Sequence, residues 1–400
     1  MLLSEKIKKA VTISLFLIII FVMAICSVLN LYKKYKDASM PPFTPATFEN
    51  DFKTNLYLRN EIIELQGYTQ KLIGNRAVED PEVGNVIRNN FGQLTSLPVK
   101  SDFSVFLNNL NTITDGCEQA GIKQIYAQAP FKILPGLEAQ QLPAGFSTDA
   151  NSNADEFITA MKNRGVEVFD FRQYLLSDSD IDNKELFFKT DHHWTIPAAF
   201  EAFSGFVNHL YEKYDYCSKK DLEFITDKNN YNYITMNDCY LGSWGRRTGV
   251  MYAGVEDFTY ITPAFETDIS IKRVAGDAKY EARGGFYDVI MSPKRVEKDK
   301  FGPSEEEIAA GFGTNGIYTD LYSVYMDGFT AEMQMTNHKI NSSKKVLIFH
   351  DSFGFPFSSF MALSAKETRV IDLRNWSEDI VQYISDFKPD FVITLYNPDQ

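Results

Sequence analysis

The sequence has 400 residues, more than one typical domain, and its 44% hydrophobic and 23% charged residues are ordinary values for a packed protein. These values exclude a chain that is disordered throughout. The net charge of −13 argues against a nucleic-acid partner, because phosphate backbones are bound by clustered lysines and arginines. A neutral or zwitterionic substrate is expected instead.

The first feature in chain order is an apolar run near the N-terminus. Residues 11–31 (VTISLFLIIIFVMAICSVLNL) carry no charge and can cross about 30 Å of hydrocarbon as a helix. We predict an uncleaved transmembrane anchor at 11–32 after a cytoplasmic head at 1–10. Lysines flank both ends, so the positive-inside rule alone does not orient the anchor. The short basic head is typical of a secretory anchor and favours an extracytoplasmic location for the remaining chain.

Two segments follow the anchor. Residues 37–46 carry three prolines, which favour extended backbone and discourage helix. A stalk is therefore predicted at 33–47. Apolar residues at mixed helical spacing come next, and they predict a helical lead-in at 48–100.

The four cysteines suggest little of a disulfide framework. Cys26 lies in the apolar run and Cys117 lies on the apolar stripe of a predicted helix, so both are expected to be free. Cys217 and Cys239 could form a bridge in an oxidising compartment, worth about 3 kcal/mol through loop entropy. Two free thiols are the alternative.

Beyond position 100, helical and strand patterns alternate. Phe106, Leu110, Ile113 and Cys117 recur at helical spacing, and Gly121 is a natural helix stop. The other predicted elements are strands at 122–129, 166–171, 345–349, 368–373 and 390–396, and helices at 154–163 and from Ser377 onward. This alternation predicts an α/β fold with a parallel sheet covered by helices on both faces.

The middle of the chain follows a different pattern. Residues 214–341 are richer in Tyr, Asn, Asp and Gly and lack clean periodicity. We interpret them as a mixed insertion that shapes a substrate cleft. The catalytic domain is then divided between 101–213 and 342–400.

Two short segments carry residues suited to chemistry. One is FFKTDHHWTI at 187–196, which precedes a helix expected to be capped by Thr195. The other is KKVLIFHDSFGF at 344–355, in which a buried strand leads directly into Ser352. Open α/β sheets bind their ligands at the carboxyl ends of strands, so Ser352 is in a position to act on a substrate.

A serine hydroxyl becomes a good nucleophile when a histidine takes its proton. His193 is the predicted base, and Asp191 is predicted to hold the imidazole in the required tautomer. Backbone N–H groups at and after Ser352 could stabilise an oxyanion. Trp194 is predicted to be a packing anchor.

Three other interpretations remain open from the residues alone. Asp351 and Ser352 could be helix caps, as such residues often are at strand-to-helix turns. His192 and His193 could be structural. Asp191 and the histidines of both motifs are acceptable metal ligands. No metalloprotease spacing is present, and we predict neither a metal nor a cofactor.

TDHHWT at 190–195 together with DSFG at 351–354 resembles the DHHW family of bacterial surface proteins. That family is similar to the SGNH-hydrolase-like acetyltransferases of alginate modification. His350 departs from the general SGNH pattern, which has glycine at this position. Weaker matching fragments are NLYLR at 55–59, APFK at 129–132, LGSWGRRTG at 241–249 and IDLR at 371–374.

The resemblance implies a three-layer α/β/α fold with Ser352, His193 and Asp191 as catalytic residues. It implies an extracytoplasmic O-acyltransferase, with acetyl as the expected acyl group, that acts on a cell-surface polysaccharide through an acyl-enzyme. It also implies a membrane-bound O-acyltransferase partner that delivers the acyl group. A carbohydrate acetylesterase with the same triad is one alternative. A non-catalytic polysaccharide-binding surface protein is the other.

Overall fold

A computed structural model describes residues 2–36, 52, 56–80, 83–275, 278–297, 316–328 and 330–397. The first helix, α1 (Leu2–Tyr35), contains the stretch Glu5–Lys33, which is long and apolar enough to cross a membrane. It is a candidate membrane anchor or signal segment, and it lies where the sequence predicts an uncleaved anchor. Residues 37–47 of the predicted stalk lie outside the described residues.

The helices after α1 lie between the strands and on both faces of the main sheet. In chain order they are α2 (Arg59–Leu72), α3 (Ser104–Ala120), α4 (Glu138–Gln141), α5 (Ala150–Asn163), α6 (Phe171–Ser177), α7 (Ile196–Tyr214), α8 (Lys219–Thr226), α9 (Ser243–Thr248), α10 (Val250–Ala253), α11 (Phe286–Val289), α12 (Gly354–Met361) and α13 (Ile380–Phe387).

The strands belong to one large sheet and two small ones. In chain order they are β1 (Ala77–Asp80), β2 (Gly84–Arg88), β3 (Leu94–Thr95), β4 (Lys123–Gln128), β5 (Glu167–Asp170), β6 (Tyr231–Tyr240), β7 (Glu256–Pro263), β8 (Ile269–Ala275), β9 (Ala278–Gly284), β10 (Glu332–Asn337), β11 (Lys345–His350), β12 (Glu367–Ile371) and β13 (Phe391–Tyr396).

The large sheet has eight strands in the order β5-β4-β13-β11-β12-β10-β8-β9. Five of them, from β5 to β12, are parallel to one another. The strands β4, β5, β11, β12 and β13 are the predicted ones, with ends that differ from the prediction by at most two residues. The predicted parallel sheet is therefore confirmed as the centre of the fold.

Each central strand buries both faces, which explains its nearly continuous apolar sequence. On β11, Val346 and Ile348 join one core cluster, whereas Leu347 and Phe349 join another. The first cluster includes buried residues of α7 and α12 on one face of the sheet, and the second includes buried residues of α3, α5 and α13 on the other face. The result is the predicted three-layer α/β/α arrangement.

The predicted insertion contributes three strands to one end of the large sheet. Its strands β8, β9 and β10 extend the parallel part by antiparallel pairing, so the sheet is mixed. An antiparallel edge strand that leaves one face polar alternates apolar and polar residues. In β8 and β10 the alternation consists of one buried pair each, Ile269 with Ile271 and Met333 with Met335, which is too short to stand out in the sequence.

The helical lead-in is the main error of the sequence prediction. Helix α2 is present, but β1, β2 and β3 follow it as a small antiparallel sheet. These strands have four, five and two residues, which is too short to show an alternating pattern.

The start of α13 also differs from the prediction. Ser377 is not its cap, because the helix begins at Ile380 and the carboxylate of Asp379 accepts the Gln382 N–H at 3.0 Å. Asp and Ser are both good caps, so composition alone could not choose between them. By contrast, Thr195 caps α7 as predicted, and Gly121 ends α3 with a φ of 64°.

The cysteines can be assigned as well. All four are free, including Cys217 and Cys239. The Cys239 thiol donates to the Met236 carbonyl at 3.3 Å. The disulfide that the sequence left open is absent.

The cap of α13 provides a test of this fold. Asp379→Ala should lower the free energy of unfolding by about 1 kcal/mol, since an N–H in the first turn loses its acceptor. Urea denaturation followed by circular dichroism measures the change.

Ser377→Ala is the matched control, because it removes an exposed side chain two residues before the cap. It should leave the midpoint unchanged. A larger effect at Ser377 than at Asp379 would contradict the helix boundary described above.

Candidate active site

Ser352 lies immediately beyond the carboxyl end of β11, a central strand of the sheet. The turn that carries it is held by Asp351, which accepts the Phe353 N–H at 2.9 Å and the Asn397 N–H at 2.6 Å. Burial raises the pKa of Asp351 to about 6, despite these hydrogen bonds. A structural role therefore fits Asp351. It does not fit Ser352, whose Oγ faces a histidine instead of capping α12.

The histidine that replaces the usual glycine is accommodated by the turn. The His350 ring is buried, and its Nδ1–H donates to the Asp351 carbonyl. Gly354 provides the room, because a Cβ at this position would lie 2.5 Å from His350 Cβ. The glycine of the DSFG motif is therefore a steric requirement of His350. Burial also lowers the pKa of His350 to about 4, so the ring is neutral.

The second loop holds His193 against this turn. Phe187 and Trp194 form an isolated antiparallel bridge that closes the loop. The buried Trp194 indole N–H points to the Phe353 carbonyl and to the Tyr322 hydroxyl, each at 3.1 Å. The predicted packing role of Trp194 is confirmed, and its N–H joins the two loops directly.

The three predicted residues meet in one hydrogen-bonded chain. His193 Nε2 lies 2.7 Å from Ser352 Oγ, and His193 Nδ1 lies 2.6 Å from Asp191 Oδ1. The same carboxylate oxygen accepts the His193 backbone N–H at 3.0 Å. All three residues are buried, and Ser352 is 8% exposed. This arrangement fits an Nδ1–H that donates to Asp191 and an Nε2 that is free to accept from Ser352.

Asp191 is an anion in this environment. Burial alone would raise the pKa of Asp191, but the two adjacent histidines and the hydrogen bonds it accepts hold the pKa well below its usual range. Its second oxygen, Oδ2, accepts the Ser243 N–H at 2.7 Å. The carboxylate therefore has fixed partners on both oxygens and a fixed orientation.

His192 has a different role from its neighbour. Its Nδ1 lies 2.6 Å from the Ser243 hydroxyl. Burial and the adjacent His193 hold the pKa of His192 well below its usual range, so its ring is neutral. The structural interpretation of a histidine at this motif therefore suits His192, as a contact between the loop and α9.

Sequence reasoning missed several residues that complete the site. The turn before α9 packs on Asp191 so tightly that a Cβ at Gly242 would lie 2.6 Å from Asp191 Cα. The Gly242 N–H donates to the Thr190 hydroxyl at 2.8 Å. The fragment LGSWGRRTG was a signal for this contact, but it did not say which residue the turn touches.

Tyr322 is the least predictable member of the site. Its ring stacks on the His193 imidazole, with centroids 3.7 Å apart and planes inclined by 8°. Its hydroxyl donates to the Phe353 carbonyl at 3.3 Å. Tyr322 belongs to the irregular segment of the insertion, where no sequence period marks it.

Lys132 binds backbone carbonyl groups of the histidine loop and of β3. The side chain is fully buried, and its ammonium donates to the Leu94 carbonyl at 2.6 Å and to the Asp191 carbonyl. Burial lowers the pKa of Lys132 to about 7, although Glu256 and Asp191 oppose the shift. The lysine of the APFK fragment is therefore a support for the backbone of Asp191.

Glu256 holds the same loop from the other side. Its carboxylate accepts the Lys189 N–H at 2.7 Å and the Thr190 N–H at 2.6 Å. Burial raises the pKa of Glu256 even though these hydrogen bonds oppose the shift. Glu256 therefore holds the peptide N–H groups before Asp191, and Lys132 holds the carbonyl of Asp191 itself.

One backbone donor for an oxyanion is available at the turn. Within the described part of the chain, the Ser352 N–H makes no hydrogen bond, whereas the Phe353 N–H is taken by Asp351. Asn337 and Arg247 also carry side-chain donors that could stabilise an oxyanion, but both bind other groups. The Asn337 amide donates to the Ala362 carbonyl at 3.1 Å, and Arg247 pairs with Asp80 at 3.0 Å.

The metal alternative can be compared with the same geometry. Among the described residues, Asp191, His192 and His193 place one ligand atom each within 4.8 Å of one another. These ligand atoms are the ones that bond to one another and to Ser243. His350 is not in this group. The donor set therefore fits a hydrogen-bonded triad better than an ion site.

A parallel sheet flanked by helices, with a serine after a central strand and an Asp–His loop facing it, is an SGNH-hydrolase-like arrangement. The sequence of residues 100–224 matches the family described as "SGNH hydrolase-like domain, acetyltransferase AlgX". The match includes Asp191 and His193 and ends before Ser352. It confirms the predicted relationship and the predicted class, an SGNH-type enzyme.

Two solved structures support the fold over most of the chain. PatB1 of Bacillus cereus, in a structure with a sulfonyl adduct, is 18% identical, with a TM-score of 0.59, and the alignment covers 78% of this chain and 96% of PatB1. A DHHW family protein from Eubacterium siraeum is also 18% identical, with a TM-score of 0.54 and coverage of 80% and 93%. No functionally curated protein matches the sequence.

The packing of Gly242 on Asp191 provides a test of the site. The backbone of Gly242 is extended, so alanine is allowed there and its effect is purely steric. Gly242→Ala should displace Asp191 and slow the labelling of Ser352 by a fluorophosphonate probe by at least about tenfold.

Gly285→Ala is the matched control for this change. Gly285 has nearly the same backbone angles and the same position before a short helix. A Cβ there would approach only the Asp288 carboxylate, at 3.0 Å, and the Thr267 hydroxyl, at 3.8 Å. Labelling should stay within about twofold of the parent protein, and equal rates in both variants would argue against the Asp191 contact.

Proposed function

We propose that the chain is an extracytoplasmic O-acyltransferase, with acetyl as the acyl group, that modifies a cell-surface polysaccharide. Ser352 is the nucleophile, His193 the general base and Asp191 the residue that orients the imidazole. The hydrogen-bonded chain from Asp191 through His193 to Ser352 is the observation that carries this proposal. The acetyltransferase description of the matched domain supports the acyl chemistry.

The reaction begins when His193 Nε2 takes the proton of Ser352 Oγ as the oxygen attacks the acyl carbonyl. The Ser352 N–H is directed to the oxyanion that forms. When the intermediate collapses, the leaving group takes the proton from His193 and the acyl group stays on Ser352. A sugar hydroxyl then repeats these steps in reverse and receives the acyl group.

The orientation of the imidazole supports this assignment. Asp191 is ionised and its two oxygens have different partners, so it stabilises the imidazolium without taking its proton. Tyr322 covers one face of the ring. The imidazole is thus held in the position that proton transfer between Ser352 and the substrate requires.

Two further parts of the proposal concern location. Helix α1 anchors the chain as a single span in the cell membrane, with the domain outside the cytoplasm. This position suits an acyl donor that a membrane-bound O-acyltransferase passes across the bilayer. No nucleic acid, metal or cofactor is required for the steps above.

A covalent probe tests the nucleophile. PatB1 carries a sulfonyl adduct, and sulfonyl or phosphonyl electrophiles react with activated nucleophiles. A fluorophosphonate should add to Ser352 of the full chain, as located by peptide mass spectrometry. Labelling should be absent in Ser352→Ala, and labelling at another residue or at none would overturn the assignment.

Substitutions test the roles of the triad. Ser352→Ala should lower turnover of an activated acetyl ester by more than about 10⁴-fold, because the covalent route is lost. Asp191→Asn should cost less, because it alters the imidazole tautomer and keeps the nucleophile. Initial rates at saturating ester measure both, and near-parental turnover in Ser352→Ala would contradict the proposal.

The esterase alternative needs a separate measurement. The full chain is incubated with an acetyl ester and a glycan, and mass spectrometry records acetyl on the sugar and free acetate. The proposal expects acetylated glycan that depends on Ser352. Acetate alone, at an unchanged rate with and without glycan, would identify a hydrolase.

A further inference from the structure

A cavity of about 490 Å³ lies in the part of the molecule that the insertion builds, and the proposed triad makes no use of it. Its lining has more cationic than anionic side chains, although the protein as a whole is acidic. The cations are Arg273, Lys279 and Lys294, and the carboxylates are Asp288 and Asp327. Tyr280, which is 59% exposed, lies at the same cavity.

Arg273 is poorly satisfied in this cavity. Its side chain is 14% exposed, and its one hydrogen bond within the described part of the chain is a long one, from Nη2 to the Val289 carbonyl at 3.4 Å. Its Nε is buried without an acceptor. A buried guanidinium has five N–H donors and normally finds more partners than this.

The nearby carboxylate does not make up for this deficit. Asp327 lies 3.6 Å from Arg273, but it is closer to Arg295, at 3.2 Å, and it also faces Lys294 at 3.8 Å. One carboxylate is thus shared by three cations. An additional anion would complete the coordination of Arg273.

The cavity is on the same side of the sheet as the triad. Arg273 is in register with Met333, Val370 and Ile348 across three strand spacings, or about 14 Å from β11. The last three belong to the core cluster that contains Trp194. Residues in register share a face of a sheet, so Arg273 points to the face that carries His193.

One segment connects the cavity to the imidazole. Tyr322 stacks on His193, and Asp327 lines the cavity five residues later. Five residues span at most about 18 Å when fully extended. Backbone hydrogen bonds from Ser292 to Val324 and from Met326 to Ile290 hold this segment in place.

We propose that this cavity is a subsite that binds an anionic substituent, a carboxylate or a phosphate, on the acceptor glycan. Arg273 contacts the anion with its planar fork, and Lys279 and Lys294 attract it at the rim. Tyr280 offers a ring face for a sugar. The inference rests on the proposed function, since it takes the acceptor to be a glycan.

The test measures binding to the full chain in detergent micelles. The probes are a galacturonic acid trisaccharide, a glucose trisaccharide that carries one phosphate and the neutral glucose trisaccharide. At least one anionic probe should bind about tenfold or more tightly than the neutral one at low salt, and the difference should shrink at high salt. The stronger anionic probe identifies the group.

Two exposed lysines provide the informative variant. Lys279→Glu/Lys294→Glu should reduce binding of the anionic probe to the level of the neutral one. Lys219→Glu/Lys220→Glu on α8 changes the net charge equally and should stay within about twofold of the parent protein. Arg273→Met should have the same effect as the first pair, which decides the test if one variant does not fold.

Equal binding of anionic and neutral probes by the parent, or a preference retained in Lys279→Glu/Lys294→Glu, would overturn the subsite. Fluorophosphonate labelling of Ser352 in the same samples reports on the proposed function separately. The small probe does not reach the cavity, so labelling should be unchanged in both lysine pairs. Selective glycan binding without labelling would retain the subsite and contradict the acyl-enzyme.

Discussion

The geometry of the site depends on one buried carboxylate whose two oxygens have different tasks. Asp191 Oδ1 holds the imidazole of His193, and Asp191 Oδ2 holds the backbone of α9 through Ser243. A buried anion is tolerated only when its hydrogen bonds are satisfied, so the loop and the insertion must come together for either to be stable. The geometry of this hydrogen-bonded chain and the folding of the insertion are thereby coupled.

The sequence was sufficient for the centre of the fold, because buried parallel strands are continuous apolar runs. Residues 345–350 and 391–396 show this pattern without interruption. It was insufficient for β1 to β3 and for the edge strands of the insertion, where the alternation of apolar and polar residues covers too few positions to be detected. Tertiary pairing, and not local preference, determines these elements.

The site divides in the same way. The grouping of Asp191, His193 and Ser352 was predictable, because each lies in a compact motif beside a clear structural element. Tyr322 was not predictable, since a single tyrosine in an irregular segment has no local signature. Its role arises from contacts that are distant in the chain, above all its stacking on a ring 129 residues earlier.

The order of strands in the sheet has a consequence for biogenesis. The strand β13, the last described one in the chain, lies between β4 and β11 in the middle of the sheet. Neither neighbour can complete its pairing until β13 has been synthesised, and β4 waits for a partner about 268 residues away. Contacts of such high sequence separation form slowly. The turn that carries Ser352 also needs the residue after β13, because Asp351 accepts the Asn397 N–H, so Ser352 is held against His193 only after β13 has been made.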